Sequence, residues 1–176
     1  MTNIITPLIP YQYFTFRGCT GESDNTWHAG SMHKAMDIAG IQDYNIISYS
    51  SIMPACAEEI FTMPQLKMGT ELKGIFACMN GRKDETLAAG VAYNWLYNDE
   101  ECTDKVGGIA VEITGNYDEA SLENKLMKAL HEIKNFSYSK LYWDDDDAVL
   151  LKTVFTPTES YGTAYAGLVF VNYIQQ

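Results

Sequence analysis

Runs of apolar residues along the chain predict mostly β-structure. Residues 11–16 alternate aromatic and polar side chains, which is typical of a strand with one buried face, and they precede the turn-rich segment G-C-T-G-E-S-D-N. The later runs are apolar and rich in β-branched residues or in alanine and glycine. The predicted strands cover residues 11–16, 44–50, 72–79, 88–97, 106–113, 148–155 and 164–174.

Two segments show the helical spacing of apolar residues instead. In residues 27–39 apolar positions recur every three or four residues, and Gly40 supplies a C-terminal stop. In residues 118–134 large aliphatic residues form one stripe, and Asp118 or Ser121 can cap the first turn. That stripe consists of Leu122, Leu126, Leu130 and Ile133. Two helices among many strands, without regular βαβ alternation, predict an α+β fold with helices packed on a mixed or antiparallel sheet.

Length and composition limit the classes of protein that remain. A chain of 176 residues fits one domain, and 47% hydrophobic and 12% aromatic residues are enough for a sizeable core. The formal net charge of -11 argues against nucleic-acid binding; it suits a cationic substrate, although solubility is its commoner meaning. The sequence shows neither the pattern of a signal peptide nor a stretch long enough to span a membrane. We therefore expect a cytoplasmic protein without membrane or nucleic-acid partners.

Residues that commonly bind metals form no recognisable motif. No C-x-x-C spacing links the four cysteines, which favours reduced thiols over a zinc site or a disulfide framework. The acidic run 144–147 lacks the glycine and the alternating oxygen ligands of a calcium loop, so a solvated turn is expected. The sequence contains no phosphate-binding loop, dinucleotide fingerprint or zinc-protease motif, and no histidine is placed beside a serine nucleophile. We expect no metal cofactor.

The segment N-I-I-S-Y-S-S-I-M-P at residues 45–54 is the strongest candidate for chemistry. Its adjacent serines, Ser50 and Ser51, lie where an apolar strand ends, and a following proline stops regular strand pairing. Two later segments complete the pattern, G-G-I-A-V-E at residues 107–112 and Y-G-T-A-Y-A-G-L-V-F at residues 161–170. Together the three segments resemble the pyruvoyl-dependent arginine decarboxylase family.

This resemblance implies that Ser51 becomes the cofactor. In the family the hydroxyl of the second serine attacks the preceding carbonyl, the amide becomes an ester, and elimination cuts the chain and leaves a pyruvoyl group on the new N-terminus. Here the cut would fall between Ser50 and Ser51 and divide the single domain 1–176 into a β chain, 1–50, and an α chain, 51–176. The hydroxyl reaches its own preceding carbonyl only if the backbone is held out of its relaxed geometry. Because a pyruvoyl group can form a Schiff base with a substrate amine and accept electrons, neither pyridoxal phosphate nor a metal is expected.

Two further residues correspond to catalytic positions of the family. Asn45 corresponds to a hydrogen-bond donor, but along an extended strand it lies about 20 Å from Ser51, at ~3.3 Å per residue, so a bend or a neighbouring subunit must bring it there. Glu112 corresponds to the glutamate that returns a proton to the carbanion after carbon dioxide leaves. A carboxylic acid does this near neutral pH only where an apolar setting favours its protonated form; otherwise Glu112 is an ordinary surface carboxylate. Its apolar neighbours in sequence are Ile109, Val111 and Ile113.

The predicted first helix departs from the family pattern. Family members carry an aspartate there that pairs with the substrate guanidinium, and the corresponding residue is His33, whose imidazole cannot replace a carboxylate. Asp37 lies one helical turn further on, where it could pair with His33 or bind the cation itself. The apolar pocket positions correspond to Met36, Tyr44 and Ile52, with Tyr44 larger than usual.

The resemblance also implies a fold and a reaction. The fold is a four-layer α-β-β-α sandwich that assembles as a homotrimer, or as a dimer of trimers, with active sites between subunits. The implied reaction converts the small-molecule substrate L-arginine to agmatine and carbon dioxide. The alternatives are decarboxylation of another amino acid such as histidine, and an unprocessed, non-catalytic trimer that serves as a binding or scaffold protein.

Overall fold

The computed structural model describes residues 11–171, which form two β-sheets with helical segments outside them. The strands are β1 (Gln12–Ser23), β2 (Asn45–Ser48), β3 (Ile52–Pro54), β4 (Glu58–Ile60), β5 (Glu71–Arg82), β6 (Leu87–Tyr97), β7 (Lys105–Gly115), β8 (Val149–Phe155) and β9 (Tyr161–Phe170). The helical segments are a π-helical segment (Trp27–Met32) that continues as α1 (His33–Ile38), the long helix α2 (Glu119–Ser137) and a 3₁₀ turn (Asp145–Asp147).

The two sheets differ in size and in strand direction. One has five strands in the order β2-β5-β9-β1-β4, and the other has four in the order β3-β7-β6-β8. In the five-stranded sheet β1 pairs with β4, and β2 with β5, in parallel; the other pairs of both sheets are antiparallel. The predicted α+β class, with mixed and antiparallel sheets, is therefore confirmed.

Alternate residues of each strand point to opposite faces, which divides the apolar side chains into three cores. The inter-sheet core between the two sheets includes Tyr13, Met53, Ile75, Val91, Tyr93, Ala110, Leu168 and Phe170. The α1 core, between the five-stranded sheet and α1, includes Ala35, Ala39, Ile41, Leu72, Tyr165 and Val169. The α2 core, between the four-stranded sheet and α2, includes Ile109, Val111, Leu122, Leu126 and Leu130. The layers therefore run α-β-β-α.

A tyrosine pair joins the two sheets inside the inter-sheet core. The rings of Tyr13 and Tyr93 meet edge to face with their centroids 6.0 Å apart, and their hydroxyl oxygens lie 3.4 Å apart. Burial raises the pKa of both phenols, so both stay neutral across the physiological pH range. The centre of the sandwich is therefore apolar, with its buried hydroxyl groups paired.

Helix α2 has the start and the buried stripe that the sequence predicts. The Asp118 carboxylate accepts a hydrogen bond from the Ser121 N–H at 2.7 Å and so satisfies a free donor of the first turn. A Cβ on Gly90 of β6 would lie 2.7 Å from Leu126 Cδ1, so the glycine lets the helix approach the sheet closely. Within residues 11–171, no helix combines the length and the apolar character that a membrane crossing requires.

Several element boundaries differ from the predictions. The turn-rich segment continues β1 as far as Ser23 through a bulge after Phe16, where Gly18 adopts a φ of +67° that glycine tolerates without steric cost. The predicted strand 44–50 ends at Ser48, and β3 and β4 have three residues each, too few to show alternation. β9 ends at Phe170, and residues 172–174 of the last predicted strand lie outside the described residues.

The predicted helix 27–39 begins as a π-helical segment rather than as an α-helix. A Cβ on Gly21 of β1 would lie only 1.8 Å from the Ser31 carbonyl oxygen. The missing side chain therefore lets this segment pack directly on the strand. The acidic run, in contrast, forms an exposed 3₁₀ turn, as its charge predicts.

Candidate active site

Ser51 lies at a bend where the chain passes from one sheet to the other. β2 runs along the edge of the five-stranded sheet, and the Tyr49 N–H extends its pairing by donating to the Gly74 carbonyl oxygen at 2.8 Å. β3 then begins with Ile52 at the edge of the four-stranded sheet. Ser50 is exposed and Ser51 is half-buried. The two serines therefore bridge the sheet edges at a position that solvent can reach.

Three hydrogen bonds hold this bend. The Ser51 hydroxyl donates to Glu112 Oε2 at 2.8 Å. The Ala110 N–H donates to the Ser51 carbonyl oxygen at 2.9 Å, and the Ile52 N–H donates to the Ser50 carbonyl oxygen at 2.7 Å. The last bond closes a three-residue turn centred on Ser51, whose φ is negative, so the turn is of the common inverse γ type. The expected backbone strain is thus absent from φ of Ser51, and the bend is held by hydrogen bonds instead.

Glu112 reaches Ser51 because of its place on β7. It pairs with Val91 of β6 and shares a face of β7 with Ala110, the face that points into the inter-sheet core. On its other side β7 pairs with β3 only over Gly107–Ile109, with the Ser51 carbonyl bonded one residue further on. Past Ala110, β3 no longer lies beside β7 in the described part of the chain. The Glu112 side chain is therefore exposed at the rim of the sandwich.

The apolar neighbours of Glu112 in sequence do not surround its carboxylate. Ile109, Val111 and Ile113 point to the opposite face of β7 and pack in the α2 core, because successive residues of a strand alternate between faces. They therefore cannot create the apolar setting that we expected from the sequence. An apolar setting for the Glu112 carboxylate would therefore require another group, from outside these neighbours, to cover the exposed side chain.

The contact between Ser51 and Glu112 has a clear chemical capability. A carboxylate that accepts a hydrogen bond from a hydroxyl at 2.8 Å is within reach to take its proton as a general base, or to return one as a general acid. A hydroxyl that loses its proton becomes a nucleophile. The geometry therefore suits a reaction in which the Ser51 oxygen forms a new bond.

Asn45 is not brought to Ser51 in this chain. It is the first residue of β2, pairs with Glu71 and is exposed, and its side-chain amide donates to the Gly69 carbonyl oxygen at 3.0 Å. The whole of β2 separates it from the bend. Its role at the site stays a prediction.

The predicted substrate-binding residues divide between two places. Ile52 lies beside Ser51 at the start of β3 and is exposed. Met36 and Tyr44 pack against the α1 core, on the far side of the five-stranded sheet from the inter-sheet core. Tyr44 also accepts a hydrogen bond from the Leu66 N–H at 3.2 Å through its hydroxyl.

His33 and Asp37 belong to the same distant region as Met36. Both are exposed on α1, and α1 packs on β1, β9 and the π-helical segment. The five-stranded sheet therefore separates them from Ser51 of the same chain. One chain therefore brings Ser51 and Glu112 together with Ile52 beside them, whereas the other four predicted substrate-binding residues lie beyond the five-stranded sheet.

Two hydrogen-bond donors at the bend cannot be identified from the sequence, because they belong to the backbone. The N–H groups of Ile52 and Ala110 bond to carbonyls on either side of the Ser51 α-carbon. A backbone donor is present at almost every residue, so only the turn and the strand pairing show which ones matter.

The comparison with protein families decides which group of proteins this site belongs to. The family model described as pyruvoyl-dependent arginine decarboxylase matches residues 12–175 of the 176-residue chain. The chain belongs to the pyruvoyl-dependent arginine decarboxylase family. The match spans the serine pair, Glu112 and all nine strands, and the family is one of carboxy-lyases. Among individually curated proteins, no significant match to the chain was found.

Proposed function

We propose that this protein is a self-processing amino-acid decarboxylase that makes a pyruvoyl group from Ser51, with L-arginine as the favoured substrate. The observation that carries the proposal is the 2.8 Å hydrogen bond from the Ser51 hydroxyl to Glu112, at a bend that lies within the family match. Arginine is favoured because the family is one of arginine decarboxylases and because a chain of net charge -11 suits a cationic substrate.

Processing begins with the Ser51 hydroxyl. Glu112 takes the hydroxyl proton while the oxygen bonds to the Ser50 carbonyl carbon, and it returns the proton to the Ser51 nitrogen as the Ser50–Ser51 amide bond breaks. The product is an ester in place of the amide. Loss of the Ser51 α-proton then expels Ser50 as a carboxylate and cuts the chain. The loss of that proton and of the carboxylate leaves a double bond between the α- and β-carbons, and a proton taken up at the β-carbon turns it into a methyl group. Water then replaces the nitrogen at the α-carbon and releases ammonia, which leaves a pyruvoyl group on the chain 51–176.

The residues present fit such a group. Its amide carbonyl would be that of Ser51, which the Ala110 N–H already holds at 2.9 Å, and the exposed side of the bend leaves a path for a substrate. When formed, the pyruvoyl group supplies a carbonyl that binds the substrate amine and withdraws electrons as carbon dioxide leaves. Glu112 is the proposed donor of the proton that replaces the lost carboxylate, because its oxygen already lies within hydrogen-bonding distance of the Ser51 side chain.

A complete site requires a second subunit in this proposal. The five-stranded sheet separates His33 and Asp37 from Ser51 of the same chain, so another copy would have to present them. Exposed apolar side chains near the bend support a subunit contact there: Ile52 is 51% exposed and Ile47 is 40% exposed. A neighbouring subunit over this rim would also exclude water from Glu112. We propose the trimer of the family resemblance as that assembly.

The experiment that tests the proposal is mass spectrometry of the purified protein combined with an assay for released carbon dioxide. Wild-type protein should give two fragments that meet between Ser50 and Ser51, the second with a blocked N-terminus, and it should decarboxylate arginine. Ser51→Ala should remain whole and inactive, because it has no hydroxyl to attack the carbonyl. Ser50→Ala is the matched control and should still be cut, because only the backbone carbonyl of residue 50 reacts.

The outcomes separate the enzyme from the scaffold alternative. Cleavage of the Ser51→Ala protein would refute the assignment of the cofactor. An intact wild-type chain after long incubation, with no carbon dioxide released from any of a panel of amino acids, would favour a non-catalytic protein. Carbon dioxide released from histidine but not from arginine would support the mechanism with a different substrate. His33 in place of the family aspartate would explain that result.

A further inference from the structure

The carbonyl oxygen of Ser50 has a hydrogen-bond donor of its own. The Ile52 N–H lies 2.7 Å from this oxygen and closes the three-residue turn around Ser51. The Ser50 carbonyl is the group that the Ser51 hydroxyl would attack under the proposed function. A donor is therefore in place on the oxygen that would gain negative charge.

The position of β3 explains why this N–H is available. β3 is an edge strand of the four-stranded sheet, and among residues 11–171 its strand neighbour is β7. In an antiparallel pair, hydrogen bonds to the neighbour come from alternate residues. Since the Ser51 carbonyl accepts from the Ala110 N–H, the N–H of the next residue, Ile52, points away from β7. On that side the Ile52 N–H donates to the Ser50 carbonyl oxygen.

We infer that the backbone N–H of Ile52 stabilises the oxyanion that forms on Ser50 when the chain cleaves itself, an inference that rests on the proposed self-processing. As the Ser51 oxygen bonds to the Ser50 carbonyl carbon, the C=O double bond becomes a single bond and its electron pair moves to the oxygen. The donor distance of 2.7 Å lies at the short end of the range in which such donors act, and the bond exists before the reaction begins. When the amide bond breaks, the electron pair returns and the ester carbonyl forms.

This assignment gives the bend two complementary groups. Glu112 receives the proton on the hydroxyl side of the reaction, and Ile52 stabilises the charge on the carbonyl side. Neither group has to move, because both contacts are present in the uncleaved chain. The turn thus serves as a positioning element and as a source of electrostatic stabilisation.

The test removes the Ile52 N–H and keeps its side chain. Ile52 is replaced in the full-length protein by its α-hydroxy acid, so that an ester oxygen stands where the N–H was. Cleavage is followed by intact mass after the protein is folded. Loss of one oxyanion donor should slow cleavage between Ser50 and Ser51 by roughly 10²-fold. Simple hydrolysis of the introduced ester gives a fragment that starts at residue 52, which its mass distinguishes.

The matched control is the same replacement at Glu85, whose N–H donates to the Arg82 carbonyl oxygen at 3.1 Å in the turn between β5 and β6, away from the bend. We expect this variant to cleave at the wild-type rate, since the lost donor contacts neither Ser51 nor the carbonyl that it attacks. Circular dichroism and gel filtration verify that both variants fold and assemble like the wild-type protein.

Two results would overturn the inference alone. One is a wild-type cleavage rate in the Ile52 variant. The other is an equal loss of rate in both ester variants, which would indicate that any backbone ester slows cleavage by destabilising the fold. Failure of the wild-type chain itself to cleave would refute the proposed function, and the inference with it. The wild-type control thus separates the two failures.

Discussion

Glu112→Gln is expected to slow cleavage of the Ser50–Ser51 bond strongly while leaving the fold intact. The side-chain amide of glutamine keeps an oxygen that can accept the Ser51 hydroxyl bond, now 2.8 Å long, so the geometry of the bend should persist. An amide oxygen, however, is far too weak a base to take the proton. Because Glu112 is exposed at the rim of the sandwich, the substitution should scarcely change stability.

The size of the effect follows from the role assigned to the carboxylate. A positioned general base contributes about 10²- to 10⁴-fold to a rate. At about 1.4 kcal/mol for each tenfold change, losing this contribution raises the barrier to cleavage by roughly 3 to 6 kcal/mol. Glu112→Asp keeps the base but shortens the side chain by one methylene, so its cleavage rate should fall between those of the wild-type and Gln proteins.

The assay follows the intact 176-residue chain over time by mass spectrometry, starting from freshly folded protein. Glu132→Gln serves as the matched control. Glu132 is an exposed glutamate on α2, and α2 packs on the face of the four-stranded sheet opposite to the one that carries Glu112. It should cleave at the wild-type rate. Measuring cleavage rather than carbon dioxide keeps this role of Glu112 separate from its proposed role in decarboxylation.

One result would refute this reasoning directly. If Glu112→Gln cleaves as fast as the wild-type protein, the hydrogen bond to Ser51 does not carry the hydroxyl proton. Another group, supplied by a second subunit or by water, would then be the base.

Three other predictions test the helices and the substrate preference. Gly21→Ala should destabilise the protein by at least about 3 kcal/mol in urea unfolding, because its Cβ would lie 1.8 Å from the Ser31 carbonyl oxygen; an unchanged midpoint would contradict this close packing. Hydrogen bonds from the Ser121 N–H and hydroxyl lower the pKa of Asp118. The stability that ionised Asp118 contributes is therefore complete above the ordinary carboxyl pKa of about 4, and it is lost as the pH falls through the lower pKa of the folded state. Asp118→Asn keeps a cap without this titration, so its urea midpoint should fall less than that of the wild-type protein between neutral and strongly acidic pH, and equal falls would argue against it. His33→Asp should raise kcat/KM for arginine by about tenfold or more if this position faces the guanidinium, and an unchanged ratio would place the cation elsewhere.

Local sequence patterns were sufficient for the larger elements. The aliphatic stripe of α2 and the long apolar runs of β5, β6 and β9 indicated those elements, because such patterns report directly which face of a segment is buried. β3 and β4 could not be found in this way, since three residues show no period. The bulge in β1 was hidden for a different reason: glycines that resemble a turn in sequence also allow a strand to continue through a kink.

For the candidate site, the sequence by itself determined the residue types: a serine pair at the end of a strand, a glutamate in a second strand and a histidine in place of an aspartate. Only the tertiary structure decided that Ser51 and Glu112, 61 residues apart in the chain, are in contact, and that the apolar neighbours of Glu112 face away from its carboxylate. It also decided that α1 packs on the outer face of the five-stranded sheet. The physical reason is that periodicity along a segment reports burial, whereas contacts between segments depend on strand order and register. Those are set by how the two sheets pack on each other, and no single segment contains that information.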